Sequence, residues 1–285
     1  MFIDLRNVSY TYNLNMPFET EVLKSINLSI NEGEFIGIIG HTGCGKTTLL
    51  QLLNGLLEPT NGKILIDGID IHKDKNKLRE VRKNIGLSFQ YPENQLFEET
   101  IFKEIAFGPK NMGIKGDSLI DNVKKAMKMV DLDYSIYKER SPFNLSGGEM
   151  RRVAIASILA IDPEVIILDE PTASLDPQTR NRILRLIKDI FKRYSKTIVL
   201  VSHNMEVIAE LAQRIIVMDK GRIVLDNSPK NIFRNNVTSL EQIGLAIPQI
   251  TSMMHKLRKM GKPIKPDVLT LEEAKNEILK IVKKK

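Results

Sequence analysis

The sequence predicts an α/β fold with a parallel-sheet core, and three observations predict it. Phe35-Ile36-Gly37-Ile38-Ile39 is a short apolar run that leads into a glycine-rich loop. Leu49, Leu50, Leu52 and Leu53 then follow as the inner face of a helix. Val165-Ile166-Ile167-Leu168 and Thr197-Ile198-Val199-Leu200-Val201 are continuous apolar runs of strand length. Such runs, alternating with helices, mark strands buried on both faces. Residues 2–12 and 22–30 instead alternate apolar with polar, as half-buried antiparallel strands do. Two kinds of strand in one chain predict a mixed antiparallel β subdomain beside the parallel core.

Taken in order, Asn31-Glu32-Gly33-Glu34 turns the chain into the strand that feeds the glycine loop. Asn61-Gly62 and Asp67-Gly68 read as turns on either side of a strand Lys63-Ile64-Leu65-Ile66. Ile85-Gly86-Leu87-Ser88-Phe89 is a further buried strand, ending at Gln90. From Thr100 to about Tyr137 the period is helical: Ile101, Ile105 and Ala106, then Val123, Ala126, Met127 and Val130. This stretch reads as an inserted helical subdomain, about residues 91–162. Pro177, at a first helical position, opens a helix Gln178 to Lys192, and Arg214 to Met218 is a candidate third core strand.

Beyond residue 240 the character changes. Ile250, Met253, Met254, Leu257 and Met260 recur at helical spacing. Thr270 with Glu273 forms a capping box before Leu271, Ala274, Ile278 and Ile281. Gly261 to Asp267, with its two prolines, separates the helices. The chain thus divides into a domain of residues 2–240 and a helical extension of residues 241–285. The amphipathic pair either packs on its own domain or meets a partner.

With 285 residues, 42% apolar and 27% charged, the composition is that of a globular chain with a sizeable core. The single cysteine excludes an intramolecular disulfide framework and fits a reducing cytosol. The start, Met1-Phe2-Ile3-Asp4-Leu5-Arg6, lacks a secretory signal's charged and apolar regions. Val153 to Ile161 is among the longest apolar runs and is too short to cross a bilayer, so the chain is expected to be soluble. A net charge of +7 raises the question of nucleic acid or anionic membrane. The basic residues are spread out, and Lys283-Lys284-Lys285 simply ends the chain, so solvated helix faces are expected and no nucleic acid.

Gly40-His41-Thr42-Gly43-Cys44-Gly45-Lys46-Thr47-Thr48 matches G-x-x-x-x-G-K-[ST] between a strand and a helix. Glycines there let backbone N–H groups turn inward around a phosphate, and the helix N-terminus adds partial positive charge. Lys46 is placed to reach β- and γ-phosphates, and the Thr47 hydroxyl to ligate Mg²⁺. Cys44, near a helix N-terminus, is expected to favour thiolate, to be alkylated with loss of activity and to be protected by ATP. Leu145-Ser146-Gly147-Gly148-Glu149 opens another helix as a second anion site, with Ser146 as hydroxyl donor. One chain seldom needs two γ-phosphate sites, so the natural geometry is a dimer in which one subunit's Ser-Gly-Gly closes on the other's Lys46 loop. The spacing from Ser146 to Asp169, 23 residues, leads to an apolar strand ending Leu168-Asp169-Glu170. Asp169 is placed to hold Mg²⁺, and Glu170 to act as general base on water. The next strand delivers Ser202-His203, where His203 can bond the γ-phosphate. His41, His72 and His255 have no ligand spacing and read as ordinary surface or loop residues.

Together these residues resemble the ATP-binding cassette (ABC) ATPases, a P-loop NTPase family, from about residue 2 to 235. That resemblance implies ATP and Mg²⁺ as cofactors and ATP hydrolysis coupled to transport. It makes Tyr12 the aromatic that stacks on adenine and Gln90 the glutamine that links Mg²⁺ to a transmembrane partner. Ser174-Leu175-Asp176 resembles the segment that touches the opposite subunit. Glu149 stands where many members carry glutamine, and both types occur.

Phe89-Gln90-Tyr91-Pro92-Glu93-Asn94-Gln95-Leu96-Phe97, with Ala106-Phe107-Gly108-Pro109, resembles more narrowly the ATPases of energy-coupling factor (ECF) transporters. These import vitamins or transition-metal ions in prokaryotes. Glu98-Glu99 and Gly108-Pro109 favour the second ATPase type of the pair. The partners implied are a second ABC ATPase, itself or a paralogue, a transmembrane coupling protein docking near Gln90–Glu99, and a substrate-binding membrane protein. The place implied is the cytoplasmic face of the cell membrane. Glu93, Glu98 and Glu99 suit arginines on a docked helix, or form a solvated acidic face. The resemblance also tips residues 240–285 towards a dimer contact. A rival reading is a soluble ABC protein acting on ribosomes or DNA. Such proteins usually fuse two cassettes or insert long coiled coils, and here each motif occurs once with no extended heptads.

Overall fold

The computed structural model describes residues 2–73 and 75–282. Lys283, Lys284 and Lys285 lie outside the described residues. β1 (Ile3–Tyr12) pairs antiparallel with β2 (Thr20–Ile30), Ile3 opposite Ile30 and Tyr12 opposite Thr20. β3 (Phe35–Gly40) then leaves for a second sheet and ends at the glycine loop, from which α1 (Lys46–Leu53) departs. β4 (Asn61–Ile66) and β5 (Ile69–Asp70) return to the first sheet, which is ordered β2-β1-β4-β5. Asn61-Gly62, expected as a turn, belongs to β4. Gly62 has φ +83°, and a Cβ there would strike the Asn7 carbonyl, so glycine permits an irregular strand where a turn was expected.

α2 (Lys75–Asn84) leads to β6 (Ile85–Ser88). The helical insertion follows as α3 (Ile101–Asn111), α4 (Gly116–Met129), α5 (Tyr134–Tyr137) and α6 (Gly147–Leu159). β7 (Val165–Asp169), α7 (Pro177–Tyr194), β8 (Thr197–Val201), α8 (Met205–Leu211), β9 (Arg214–Asp219) and β10 (Arg222–Asn227) complete the second sheet and its cover. Among the described residues it has six strands, ordered β10-β9-β3-β8-β7-β6, with β10 antiparallel and the others parallel.

Period-two alternation divides each core strand between two apolar cores. Ile36 and Ile38 of β3, Val165 and Ile167 of β7, and Val199 and Val201 of β8 face the first sheet and α1. Phe35 and Ile39, Ile166 and Leu168, and Ile198 and Leu200 face the helical side, with Ile101, Val123 and Val153. Burial on both faces explains why these strands read as unbroken apolar runs. A parallel sheet so enclosed exposes its carboxyl edge, and the loops that carry chemistry leave from that edge.

α9 (Pro229–Asn235) and α10 (Val237–Gln242) connect to α11 (Gln249–Lys259) and α12 (Leu271–Val282). The last two share a small core of Met254, Ile264, Val268 and Ala274. The expected cap forms: Thr270 Oγ1 accepts the Glu273 N–H at 3.2 Å, and Glu273 accepts the Leu269 N–H at 2.8 Å. Gln249 N–H donates to Glu206 at 2.9 Å, and Lys230–Glu273 and Arg234–Asp267 pair at 3.7 and 3.6 Å. The helix pair therefore packs on its own chain, leaving Met260, Leu271 and Val282 exposed. Among the described residues no helix is long and apolar enough to cross a membrane.

Candidate active site

The ends of β3, β6, β7 and β8 bring the expected residues to one place. A cavity of about 380 Å³ at the carboxyl edge is lined by Tyr12, Thr42, Gly43, Gly45, Lys46, Thr47, Thr48, Gln90, Asp169, Glu170 and His203. Val22 of β2 also lines it, a residue that nothing in the sequence singled out. α1 begins at Gly45, with φ +102° and no side-chain cap, so its first N–H groups are left without a capping side chain. A Cβ on Gly45 would lie 2.7 Å from Leu23 Cδ2, which adds a steric demand for glycine.

Lys46 is buried, and its Nζ donates to the carbonyls of Gly40 at 2.7 Å and His41 at 2.9 Å. Thr47 Oγ1 donates to Asp169 Oδ2 at 2.9 Å, and burial pushes the Asp169 carboxyl up from its ordinary value. Tyr12 OH lies 3.3 Å from Thr48 Oγ1, and its ring meets Tyr10 edge-on at 4.8 Å. Thr47, Asp169 and Gln90 are hard oxygen donors suited to Mg²⁺. Among the described residues no cluster of three or more His, Cys, Asp or Glu is placed to hold a metal. A hydroxyl, a carboxylate and an amide make an incomplete octahedron, which fits a cation that also takes phosphate oxygens and water.

Glu170 sits at φ +49°, in the left-handed region that non-glycine residues seldom adopt, held by its N–H to the Val201 carbonyl at 3.1 Å. Its Oε1 is buried without a hydrogen-bond partner, and His203 Nε2 stands 3.6 Å away. Burial, with the Asp169 charge adding to it, raises the Glu170 pKa to about 7. Burial, then the Lys46 charge, lowers that of His203. A carboxyl poised near neutrality beside an imidazole held neutral is suited to accepting a proton from water.

Four residues depart from expectation. Cys44 is only 1% exposed and packs into the core beneath the first sheet. Burial raises its thiol pKa and outweighs the nearby Lys46, so the expected thiolate is overturned. The His41 side chain lies outside the cavity lining, and only its carbonyl serves Lys46. Its ring is 2.9 Å from Asp219, which ends β9. His72 and His255, expected as ordinary surface or loop residues, each bury an Nε2 that lacks a partner.

Ser146, Gly148 and Glu149 line a separate hollow of about 270 Å³ with Arg152, Thr179 and Arg182. The Ser146 hydroxyl, expected as a free donor, donates to Glu149 Oε2 at 2.6 Å and accepts the Glu149 N–H at 3.4 Å. The pair is a complete capping box for α6. Hydrogen bonds from Ser146 and from Tyr137 OH, the latter at 2.8 Å, hold the Glu149 pKa down at about 2. A Cβ on Gly148 would run into Thr179 Cγ2, whereas one on Gly147 would meet open space.

The Gln90–Glu99 segment is tied at two points by residues the sequence reading missed. The Arg151 guanidinium, fully buried, takes both Glu93 oxygens at 2.8 and 2.5 Å and donates to the Pro171 carbonyl at 2.7 Å. Glu104, also buried, accepts the N–H groups of Phe97 and Glu98 at 2.9 and 2.8 Å. Glu93 is thus an internal partner, which corrects its placement on an acidic docking face. Glu99 is paired with Lys103 at 2.5 Å. The outer surface here is instead aromatic, with Phe97 and Phe107 exposed and stacked edge-on at 4.9 Å.

A family model described as "ABC transporter" matches residues 23–173. Over 285 residues the chain is 52% identical to "Energy-coupling factor transporter ATP-binding protein EcfA2" of Clostridium tetani, covering 100% of this chain and 99% of that protein. It is 54% identical to the protein of the same name from Caldanaerobacter subterraneus subsp. tengcongensis, covering 99% and 98%. The fold is similar to cbiO1 from Clostridium perfringens, described as part of the ABC transporter complex cbiONQ. That similarity has a TM-score of 0.73 at 34% identity, over 85% of this chain and 96% of the other. It is also similar to the dimeric ATP-binding cassette MJ0796 in a post-hydrolysis state with ADP and Pi, with a TM-score of 0.70 at 32% identity, over 80% and 98%.

Proposed function

This chain belongs to the ABC transporter family, and from that premise we propose that it drives an ECF-type importer through a nucleotide site completed by a second subunit. It is an ATPase, the motor subunit of such a transporter, and works with other transporter components. The observation that carries the site is the convergence of Lys46, Thr47, Asp169, Glu170 and His203 on one cavity.

In this reading the N–H groups of Gly43 to Thr48 take the phosphates, and the Lys46 ammonium exchanges the Gly40 and His41 carbonyls for phosphate oxygens. Tyr12 lies against the base. Mg²⁺, when bound, supplies charge neutralisation at the phosphate oxygens, and Thr47, Asp169 and Gln90 would hold it. Glu170 accepts the proton of the attacking water, and His203 orients that water and the γ-phosphate. Ser146, Gly147 and Gly148 of a second ATPase, a copy of this chain or a paralogue, close the cavity from outside. Ser146 and Gly148 line a hollow of their own, apart from the cavity that holds Lys46 in the same chain, which supports a composite site.

The cassette comprises residues 2–240 with the helical insertion about 91–162, and residues 241–285 add a dimer contact. The exposed, mutually stacked Phe97 and Phe107, the first of them within the Gln90–Glu99 segment, fit a transmembrane coupling protein at the cytoplasmic face of the membrane. A substrate-binding membrane protein would complete the transporter, with a vitamin or a transition-metal ion as cargo. The ribosome or DNA alternative is not favoured, because relatives matched over the whole chain carry transporter names.

Purification from native membranes tests the assembly. Recovery of the chain with a second ATPase and a multi-spanning membrane protein is expected. ATP-dependent co-sedimentation with ribosomes, without membrane partners, would overturn it.

A further inference from the structure

The hairpin of β1 and β2 has a seated base and an untied tip, and its base supplies the apolar part of the cavity wall. Tyr12 ends β1 and Val22 belongs to β2, and both line the cavity. The other lining residues, from Thr42 to His203, are glycines or carry polar and charged side chains. Val22 sits at an irregularity, left over between the pairs Thr11–Glu21 and Tyr10–Leu23, and such a bulge re-aims a side chain. A Cβ on Gly45 would lie 3.2 Å from the Val22 carbonyl oxygen, so the hairpin base is seated on the phosphate loop. The Tyr12 ring is anchored as well, its OH 3.3 Å from Thr48 Oγ1 and its edge against Tyr10.

Residues 13–19 form the tip, and among the described residues their hydrogen bonds stay within the hairpin. Met16 N–H donates to the Asn13 carbonyl at 2.9 Å, and Asn15 N–H to Glu19 Oε2 at 3.0 Å. Thr20 Oγ1 donates to the Phe18 carbonyl at 3.2 Å. Leu14, Met16 and Phe18 are exposed, Phe18 at 89%, and none of them joins either large apolar core. Phe18 also has φ +67°, in the left-handed region where a bulky aromatic residue is an outlier. Asn13 and Asn15 share that region at +53° and +59°, but asparagine tolerates it. Strain of this kind gathers at ligand clamps. Tyr12 pairs with Thr20 across the hairpin, so Phe18 stands two residues along the chain from the partner of a cavity-lining residue.

We infer that Phe18 is a base-binding residue whose ring covers the outer face of a nucleobase lying against Tyr12, so that two aromatic rings hold one planar ligand. This rests on the nucleotide reading of the cavity. A nucleoside triphosphate joins a base with apolar faces to a chain of charged oxygens. The cavity offers both chemistries, Tyr12 and Val22 for the first and Lys46 and Thr47 for the second. Closing Phe18 and Met16 over the base removes apolar surface from water, and the tip has no hydrogen bond to another element to break in doing so. Stacking reads the face of a base and not its edge. The clamp therefore favours nucleotides over inorganic polyphosphate without choosing between adenine and guanine.

Two probes added with Mg²⁺ to the full chain separate base from phosphates: a non-hydrolysable ATP analogue and inorganic tripolyphosphate. Phe18→Ala should bind the analogue about fivefold more weakly than wild type, as loss of one stacking ring does, and tripolyphosphate equally well. Phe18→Tyr, which keeps the ring, should bind the analogue as wild type does. The chain has no tryptophan, so Phe18→Trp supplies a single reporter. Its emission should change with the analogue and not with tripolyphosphate. Equal affinity of Phe18→Ala and wild type for the analogue would overturn the inference, and so would an equal loss for both probes. An emission change brought only by a second ATPase or a membrane protein would also overturn it, and would assign the tip to a protein contact. A wild-type chain that binds neither probe would overturn the nucleotide reading itself.

Discussion

Two glycine-rich helix starts in this molecule look alike in sequence and differ in how their N-termini are satisfied. α1 begins at Gly45 without a capping side chain, and Lys46, Thr47, Asp169 and Glu170 gather around it. α6 begins at Ser146 with a full capping box, its own Glu149 supplying the anion that such a terminus attracts. The first has no capping side chain at its N-terminus. The second is satisfied at rest, with Gly147 facing open space. The difference teaches that a glycine-rich helix start is no sufficient sign of an anion site, because the deciding fact is whether the chain has already capped it.

Four perturbations break or sharpen this contrast. The largest effect is expected from Glu170→Gln, which should lower phosphate release by about 10²-fold or more while ATP still binds. In wild type kcat/KM should rise with pH through about 7, because the base must be deprotonated and its folded pKa is raised to that value. Near-normal turnover in the variant would remove Glu170 from the role of base. Next come the two glycines of the second loop. Gly148→Ala forces a Cβ against Thr179 and should lower the thermal midpoint of the isolated chain, whereas Gly147→Ala should leave it unchanged. Loss of ATPase activity in Gly147→Ala alone would then report a surface arriving from outside the chain.

Glu149→Ala should cost about 1 kcal/mol of stability at neutral pH, as loss of a helix cap does, measured by denaturant unfolding. The folded pKa of Glu149, about 2, lies below its ordinary 4.5, so its contribution is present above 4.5. The gap between variant and wild type should therefore shrink as pH falls from 4.5 towards 2. The smallest effect concerns Cys44. Its buried, neutral thiol should react slowly with iodoacetamide in the folded chain, and rapid labelling that ATP blocks would show the side chain reaching the site.

Much of the fold was legible because burial on both faces writes itself as continuous apolar runs. β7 and β8 lie where Val165 to Leu168 and Thr197 to Val201 indicated, β7 extending one residue to Asp169. α2 was missed because Leu78 and Val81 are nearly all that its charged sequence offers for a period, and its packing is supplied by the sheet beneath. β10 was missed at an edge where Ile223 and Leu225 alternate too briefly to stand out. The cavity residues were legible because phosphate chemistry demands fixed residue types at fixed places on strand ends. Arg151 and Glu93 were not, since their pairing spans 58 residues and is made only in the folded interior. The charge on Glu93 therefore read as surface. Ser146 to Glu149 also carries the S-x-x-E pattern of a capping box, and in the folded chain that box forms.

The buried guanidinium also decides where this molecule can bend. Arg151 bolts three stretches into one stiff block: the turn at Glu93, the start of α6, and the strap at Pro171 just past Glu170. Removing one partner of an ion pair whose guanidinium is fully buried costs about 3–5 kcal/mol, because the remaining charge is left uncompensated. The Arg151 bonds hold these three stretches together. A push on Phe97, anchored through Glu104, and a pull on the strap beside Glu170 are then loads on neighbouring ends of a single rigid beam.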